Sequence, residues 1–172
     1  MTSRSLALWL GIAALLAPDL ARADACADLP TVRHPELGAV PTLRLGLGLS
    51  SALLVEVRVD AGGGARLEFT TRRTGAITVV IPVGTPVDFV AGDEIVTMPS
   101  AFDAAPRVDL SQYGSGTTWQ IPVVLDAAAA ERLRSLTLEE LRVEVAGLPI
   151  AAKLAAPQAA RLQAMLACAA AR

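Results

Sequence analysis

Apolar and polar residues alternate along much of the chain after residue 41, and this pattern predicts β-strands. Alternation with a period of two is typical of a strand with one buried face and one face exposed to water. The alternating segments are 42–48, 53–60, 67–71, 118–125 and 141–146. Glycines at 62–64 separate two of these segments and suit a tight turn, because glycine tolerates a positive φ. We therefore expect a β-hairpin over residues 53–72.

The stretch that follows this hairpin is apolar but does not alternate. Residues 77–83 are almost entirely apolar and rich in β-branched side chains, which favours a buried strand. Val87 and Phe89 belong to the next predicted strand, which is broken at Gly92. The sequence therefore predicts two successive strands between residues 77 and 95.

Proline and glycine indicate irregular structure in two places. The prolines of residues 26–41 predict an irregular segment at the start of the domain. Residues 99–116 also contain several prolines and glycines and predict a long loop, within which Val108 and Leu110 indicate a short strand. Loops held on a rigid scaffold often carry binding residues, so this loop is the expected functional surface.

Two helices are expected in the last third of the chain. Asp126 precedes an alanine-rich segment, and its carboxylate can accept the free N–H groups of a first helical turn, which predicts a helix at about 127–136. Pro157 suits the first turn of a second helix, at about 157–170. Antiparallel hairpins dominate the rest. The expected fold class is mainly β, an antiparallel β-sandwich or curled sheet with a short inserted helix and a C-terminal helix.

The first 23 residues have the order of a secretory signal peptide. Arg4 provides a positive charge, residues 6–17 are apolar, Pro18 ends that run, and Ala-Arg-Ala at 21–23 fits a cleavage site. The apolar run is shorter than the ~20 residues that a membrane-spanning helix needs. We therefore expect a signal peptide at 1–23 and a single exported β-rich domain at 24–172, periplasmic or secreted, with no transmembrane segment in the mature chain.

The two cysteines of the chain, Cys26 and Cys168, lie near the two ends of the expected mature domain. In an oxidising compartment such a pair is expected to form a disulfide. Closing a loop of about 140 residues would stabilise the fold by roughly 5 kcal/mol through the entropy of the unfolded chain. Two alternatives remain open at this point. Both thiols are free, or Cys26 is lipidated, although the residues before it fit a lipoprotein signal poorly.

Charge and residue usage exclude several classes of function. The chain has 15 basic and 17 acidic residues, a formal net charge of −2, whereas nucleic-acid binding requires clustered positive charge. His34 is the only histidine, and with both cysteines expected to be bonded this excludes a standard zinc site. The acidic residues lack the alternate spacing around a glycine that a calcium loop requires. We expect neither a metal nor another cofactor.

Residues 81–93, Ile-Pro-Val-Gly-Thr-Pro-Val-Asp-Phe-Val-Ala-Gly-Asp, carry a likeness to a known family. They resemble the aliphatic-Pro-Leu-Gly hairpin of the invasion-associated locus B proteins, small secreted β-sandwich proteins of proteobacteria. The order of elements from Trp119 onwards is also similar. The chain lacks the cysteine pair that usually follows the family's hairpin, and the Gly-Phe near its last helix. The resemblance implies an envelope protein loosely linked to host contact or stress, and it brings no catalytic chemistry.

No set of residues has the spacing of a known catalytic motif, which favours a non-catalytic binding or accessory protein of the periplasm. Its partner would be an envelope protein or a small ligand. The candidate binding residues are Trp119 and Tyr113, which would serve as aromatic anchors if exposed, with Asp103 and Asp109 in the 99–116 loop. The alternative is a small envelope hydrolase that uses those two carboxylates. A third possibility is a purely structural stress protein.

Overall fold

Two antiparallel sheets and two helices account for most of the chain in a computed structural model, which describes residues 25–48, 53–111 and 114–172. The strands are β1 Thr31–His34, β2 Gly38–Leu47, β3 Leu53–Val59, β4 Ala65–Thr74, β5 Pro86–Ala91, β6 Glu94–Pro99, β7 Arg107–Ser111, β8 Gly114–Leu125, β9 Glu140–Val145 and β10 Leu148–Lys153. The helices are α1 Ala127–Arg134 and α2 Ala156–Ala171. The expected signal peptide lies outside the described residues.

The sheets have six and four strands. The first sheet has the spatial order β1-β2-β3-β4-β8-β7, and the second has the order β10-β9-β5-β6. Their inner faces share one apolar core, in which the rings of Phe69 on β4 and Phe89 on β5 meet edge to face at 6.2 Å. Helix α2 packs against α1 and against β2 and β3. The predicted fold class is confirmed: the chain is mainly β, sandwich-like, with one short helix and one C-terminal helix.

The hairpin predicted over residues 53–72 is present as β3 and β4. Val55 pairs with Phe69 and Val57 with Leu67, and all four side chains are buried. The turn between the strands contains Gly64 at a φ of +81°, a value that favours glycine. The N–H of Gly64 donates to the carbonyl oxygen of Ala169 at 2.8 Å, so the turn also fastens the end of α2.

A disulfide joins Cys26 to Cys168, as the sequence predicted. The two Cα atoms are 4.9 Å apart, and the residues are separated by 142 positions. The bond ties the segment before β1 to a buried position of α2. It therefore holds the start of the described chain against the helix that covers β2 and β3.

The buried strand predicted over residues 77–83 is wrong. Only Ile81 is buried there, and it forms a single bridge with Ala104, whereas Val79, Val80 and Val83 are exposed. Pro82 has no N–H to give to a ladder, and Gly84 turns the chain at a φ of +85°. Residues 75–85 instead form a crossover, which we call the crossover segment, between β4 of the first sheet and β5 of the second.

Side chains satisfy the backbone of the crossover segment in place of a strand partner. The Thr117 hydroxyl accepts the Ile77 N–H at 2.8 Å and donates to the carbonyl oxygen of Gly75 at 2.7 Å. The indole N–H of Trp119 donates to the carbonyl oxygen of Val79 at 2.9 Å. Two neighbouring inward-facing residues of β8 therefore fix the path of the crossover segment.

Two other expectations need correction. The strand predicted to break at Gly92 is a hairpin, in which β5 and β6 pair around a turn with Gly92 at a φ of +57°. The segment over residues 26–41 is not irregular throughout, because β1 pairs with the first part of β2, with Val32 opposite Val40. Pro30 precedes β1 and Pro35 lies in the turn, whereas Pro41 lies within β2, opposite Thr31 and one residue before β2 begins to pair with β3.

The predicted 99–116 loop is shorter than expected. Residues 107–111 form β7, an edge strand that pairs with β8 and confirms the short strand expected at Val108 and Leu110. Strand β8 begins at Gly114, so the loop that remains between β6 and β7 runs from residue 100 to residue 106. Pro106 and Gly114 flank β7 rather than interrupt it, so proline and glycine content alone predicts too long a loop.

Candidate ligand-binding groove

Trp119 lies in the core. Its side chain has no exposed surface, and its indole N–H is occupied by the carbonyl oxygen of Val79. The residue therefore packs between the sheets rather than offering a ring to a ligand in solvent. Tyr113, the second predicted aromatic anchor, lies outside the described residues.

The two predicted carboxylates, Asp103 and Asp109, lie on different elements and make different contacts. The Oδ1 atom of Asp103 accepts the N–H of Val83 at 2.7 Å and so ties the 100–106 loop to the crossover segment. Asp109 lies on β7 opposite Gly116 and lines a cavity of about 390 Å³ with Arg107 and the polar side chains of β8. No other described residue that lines this cavity is acidic. A glycosidase-type mechanism requires two facing carboxylates, and this cavity supplies one.

The 100–106 loop and the crossover segment share an exposed apolar patch. Phe102 is 65% exposed and Val83 is 58% exposed, and Val79 and Val80 are about half exposed. The isolated bridge between Ile81 and Ala104 brings the two segments together. This patch is the surface that the loop presents to solvent.

A groove of about 540 Å³ lies on the outer face of the first sheet, where sequence reasoning placed no site. The floor of the groove is formed by outward-facing side chains of β2, β3 and β4. The register sets Thr42, Arg58 and Arg66 in one row across β2, β3 and β4, with Arg44 and Glu56 in the next row. Successive side chains of a strand point to opposite faces, and the neighbours of these residues along each strand are buried in the core. These side chains therefore point outward.

The hairpin of β1 and β2 forms the other wall of the groove, and this wall is mostly apolar. Val32, Leu37, Ala39 and Val40 line it. Val32 is 52% exposed and Leu37 is 65% exposed. His34 is on the same wall, and its Nδ1 accepts the N–H of Glu36 at 3.4 Å.

The charged residues of the floor are only partly neutralised. Glu56 lies between two arginines: its Oε2 accepts from Arg44 Nε at 2.5 Å, and its Oε1 is 3.4 Å from Arg58 Nε. Asp60 accepts from Arg66 Nε at 3.2 Å. Three arginines of the sheet thus share two carboxylates, and Arg172, which follows α2, also reaches the groove.

Arg58 is the arginine of the floor with the most free donors. Its contact with Glu56 is an ion pair too long for a good hydrogen bond, and it donates no hydrogen bond to any described residue. Its side chain is 38% exposed, so solvent reaches the guanidinium. A guanidinium in this state can bind a carboxylate or phosphate oxygen pair.

Locating the groove requires the strand register, which the sequence pattern does not give. Arg44, Arg58 and Arg66 are each polar positions of an alternating strand, and a sequence pattern predicts only that each faces water. Their convergence depends on which residues lie opposite each other, and on the hairpin of β1 and β2, which proline content concealed. His34 lies in the same proline-flanked segment, so the sequence does not predict its place on the groove wall either.

Neither metal clusters nor membrane-spanning helices occur in the part of the chain that the structure describes. No three His, Cys, Asp or Glu side chains there are grouped so that they could hold a metal ion. No helix there is long and apolar enough to cross a bilayer.

Comparison with known proteins identified no relative. No protein-family profile, curated protein or solved structure matches the chain. The likeness of residues 81–93 to the invasion-associated locus B hairpin stays a prediction. The groove is therefore interpreted from its own geometry.

Proposed function

We propose that the protein is an exported, non-catalytic binding protein of the bacterial envelope that takes a small ligand in the groove between the β1–β2 hairpin and the outer face of the first sheet. The observation that carries this proposal is the groove itself. Its volume of about 540 Å³ is within the ~300–1,000 Å³ range of small-molecule sites. An apolar wall facing a few charged groups is the usual composition of such sites.

Two independent observations support export. Residues 1–23 have the three-part pattern of a signal peptide. The disulfide between Cys26 and Cys168 is of the kind that persists in oxidising compartments and is rare in the cytosol. The likeness of residues 81–93 to a family of secreted proteins points to the same compartment.

A hydrolase that uses Asp103 and Asp109 receives less support than a binding protein. Asp103 already accepts a backbone hydrogen bond from the crossover segment. Asp109 lies on a different element, and the cavity that it lines has no second described carboxylate. The binding proposal needs no such pair, since the groove already combines charge and apolar surface.

The proposal is tested by thermal-shift screening of the mature protein against small-molecule fractions of a bacterial envelope extract. Val32 lies on the apolar wall and is 52% exposed, so Val32→Trp should fill the groove without disturbing the core. Ile95→Trp is the matched control, because Ile95 is also an exposed β-branched residue of a strand but lies on the second sheet. We expect a fraction that raises Tm for the wild type and for Ile95→Trp but not for Val32→Trp. Absence of any shift for the wild type, or an equal shift for Val32→Trp, would refute the groove as the binding site.

A further inference from the structure

We infer that the ligand of the groove is an amphiphile with one anionic headgroup, a carboxylate or a phosphate, and a single apolar chain. The headgroup binds at Arg58, and the chain lies along Val32, Leu37 and Val40 of the hairpin. This inference rests on the proposed function, and it adds the chemical class of the ligand. Three features of the groove support it: charge, hydrogen-bonding capacity and the position of its apolar surface.

The charge of the floor selects an anion. The four arginines that line the groove, Arg44, Arg58, Arg66 and Arg172, outnumber its two carboxylates, Glu56 and Asp60. An anionic headgroup reduces this excess of positive charge, whereas a cationic one adds to it. The groove is partly enclosed by the hairpin, so these charges act through a medium less polar than bulk water.

The hydrogen-bonding capacity of the floor is concentrated at its centre. Glu56 is already bound by Arg44 at 2.5 Å, and its second oxygen is 3.4 Å from Arg58. Arg58 is left with a planar set of N–H donors that no described residue accepts. A carboxylate or phosphate can take two parallel hydrogen bonds from such a guanidinium, which a neutral hydroxyl cannot.

The apolar surface lies opposite, on the hairpin. Val32 and Leu37 expose more than half of their surfaces to water, although they face an otherwise charged region. A hydrocarbon chain laid against them and Val40 would remove this surface from water. Each methylene buried in this way should raise affinity about fourfold, from the transfer free energy of ~0.8 kcal/mol per CH₂.

The decisive experiment measures binding of four probes that share a ten-carbon chain, below their critical micelle concentrations. They are decanoate, decyl phosphate, decanol and decyltrimethylammonium, with acetate as a headgroup without a chain. Isothermal titration calorimetry at low ionic strength should show one-to-one binding of the two anionic amphiphiles and much weaker binding of the other three. Decanoate and decyl phosphate distinguish the two headgroups. Octanoate, which is two methylenes shorter, should bind about fifteenfold more weakly than decanoate.

Variants test whether the headgroup binds at Arg58 and the apolar chain binds along the hairpin. Arg58→Gln should weaken decanoate binding about tenfold or more, because it removes a charge-assisted bidentate contact. Arg161→Gln is the control, since Arg161 is an exposed arginine of α2 whose loss changes net charge equally. Leu37→Ser should reduce the gain from octanoate to decanoate while leaving the effect of Arg58→Gln intact. Unchanged Tm and circular dichroism verify folding, and Arg66→Gln replaces Arg58→Gln if that variant does not fold.

The outcomes separate this inference from the proposed function. Preferred binding of decanol or decyltrimethylammonium would overturn the anionic class while keeping the groove as a binding site. Equal binding of decanoate by Arg58→Gln and wild type would overturn it as well. Failure of all four amphiphiles, together with a positive envelope fraction in the thermal-shift screen, would refute the inference alone. Failure in both experiments would refute the proposed function too.

Discussion

Single residues with unusual backbone requirements hold the junctions between elements. Gly64 is one: a Cβ at this position would lie 2.3 Å from the carbonyl oxygen of Leu125, and its φ of +81° disfavours any other residue. The sequence predicted a glycine turn here but not its contacts with Leu125 and Ala169, since both lie far along the chain. The local sequence pattern predicts the turn, but the contacts of the turn with β8 and α2 arise only in the folded chain.

Replacing Gly64 by alanine should destabilise the fold by at least about 1–2 kcal/mol, because the left-handed conformation and the close backbone contact both oppose a Cβ. Urea denaturation with the disulfide intact measures this loss. Gly62→Ala is the control: no atom lies within 4 Å of its added Cβ, and its φ is not positive. A comparable loss of stability in both variants would contradict the assignment.

At the scale of elements, alternation located most strands and failed where an apolar run did not alternate. Residues 53–59 and 118–125 alternate, and they form β3 and part of β8. Residues 77–83 satisfy the composition of a buried strand equally well, but the hydrogen bonds of their backbone go to Thr117, Trp119 and the 100–106 loop. Composition does not reveal such partners, because they are distant in sequence.

The crossover segment should depend on the hydroxyl of Thr117. Thr117→Val keeps the shape of the buried side chain but leaves the Ile77 N–H and the Gly75 carbonyl without their partner, which should cost about 1–3 kcal/mol. Chemical denaturation measures the change, and amide exchange at Ile77 should accelerate. Thr118→Val, on the outward face of the same strand, should be close to neutral. Normal protection of Ile77 in Thr117→Val would contradict the role of the hydroxyl.

Helix α1 carries an exposed pair with a defined effect on ionisation. Arg134 Nε donates to Glu131 Oε2 at 2.8 Å, and this hydrogen bond lowers the pKa of the Glu131 carboxyl below its ordinary value. Because the pKa is lower in the folded state, the pair stabilises the fold above the ordinary glutamate pKa. That stabilisation is lost as the pH falls through the folded-state pKa.

A carbon-detected NMR titration should therefore give Glu131 a pKa below the ordinary glutamate value. Arg134→Gln should return the pKa towards that value. Arg132→Gln should leave it low, since Arg132 pairs with Glu94 instead, at 3.5 Å. A Glu131 pKa that does not respond to Arg134→Gln would show that the pair is absent in solution.

For the whole molecule, the fold class and the disulfide could be predicted from the sequence, whereas the groove could not. Strand periodicity predicts the fold class, and the positions of Cys26 and Cys168 near the two ends of the domain predict the disulfide. The groove arises from the register of β2, β3 and β4 and from a hairpin flanked by prolines. Whole-molecule geometry therefore decides where the outward-facing arginines meet.

Loss of the disulfide should destabilise the whole domain by about 2–5 kcal/mol, since it closes a loop of 142 positions. Urea denaturation of the wild type with and without reductant measures this loss. The double variant Cys26→Ala/Cys168→Ala should match the reduced wild type and should not respond to reductant. Two freely alkylated thiols in the folded protein purified without reductant would contradict the bond.

The binding site itself is tested most directly by isotope-filtered NMR of the protein with decanoate, using labelled leucine and valine methyl groups. We expect nuclear Overhauser contacts from the decanoate chain to the methyls of Leu37, Val32 and Val40, the apolar wall of the groove. Contacts confined to Val79, Val80 and Val83 of the exposed apolar patch, or none at saturating decanoate, would show that the groove does not hold this ligand.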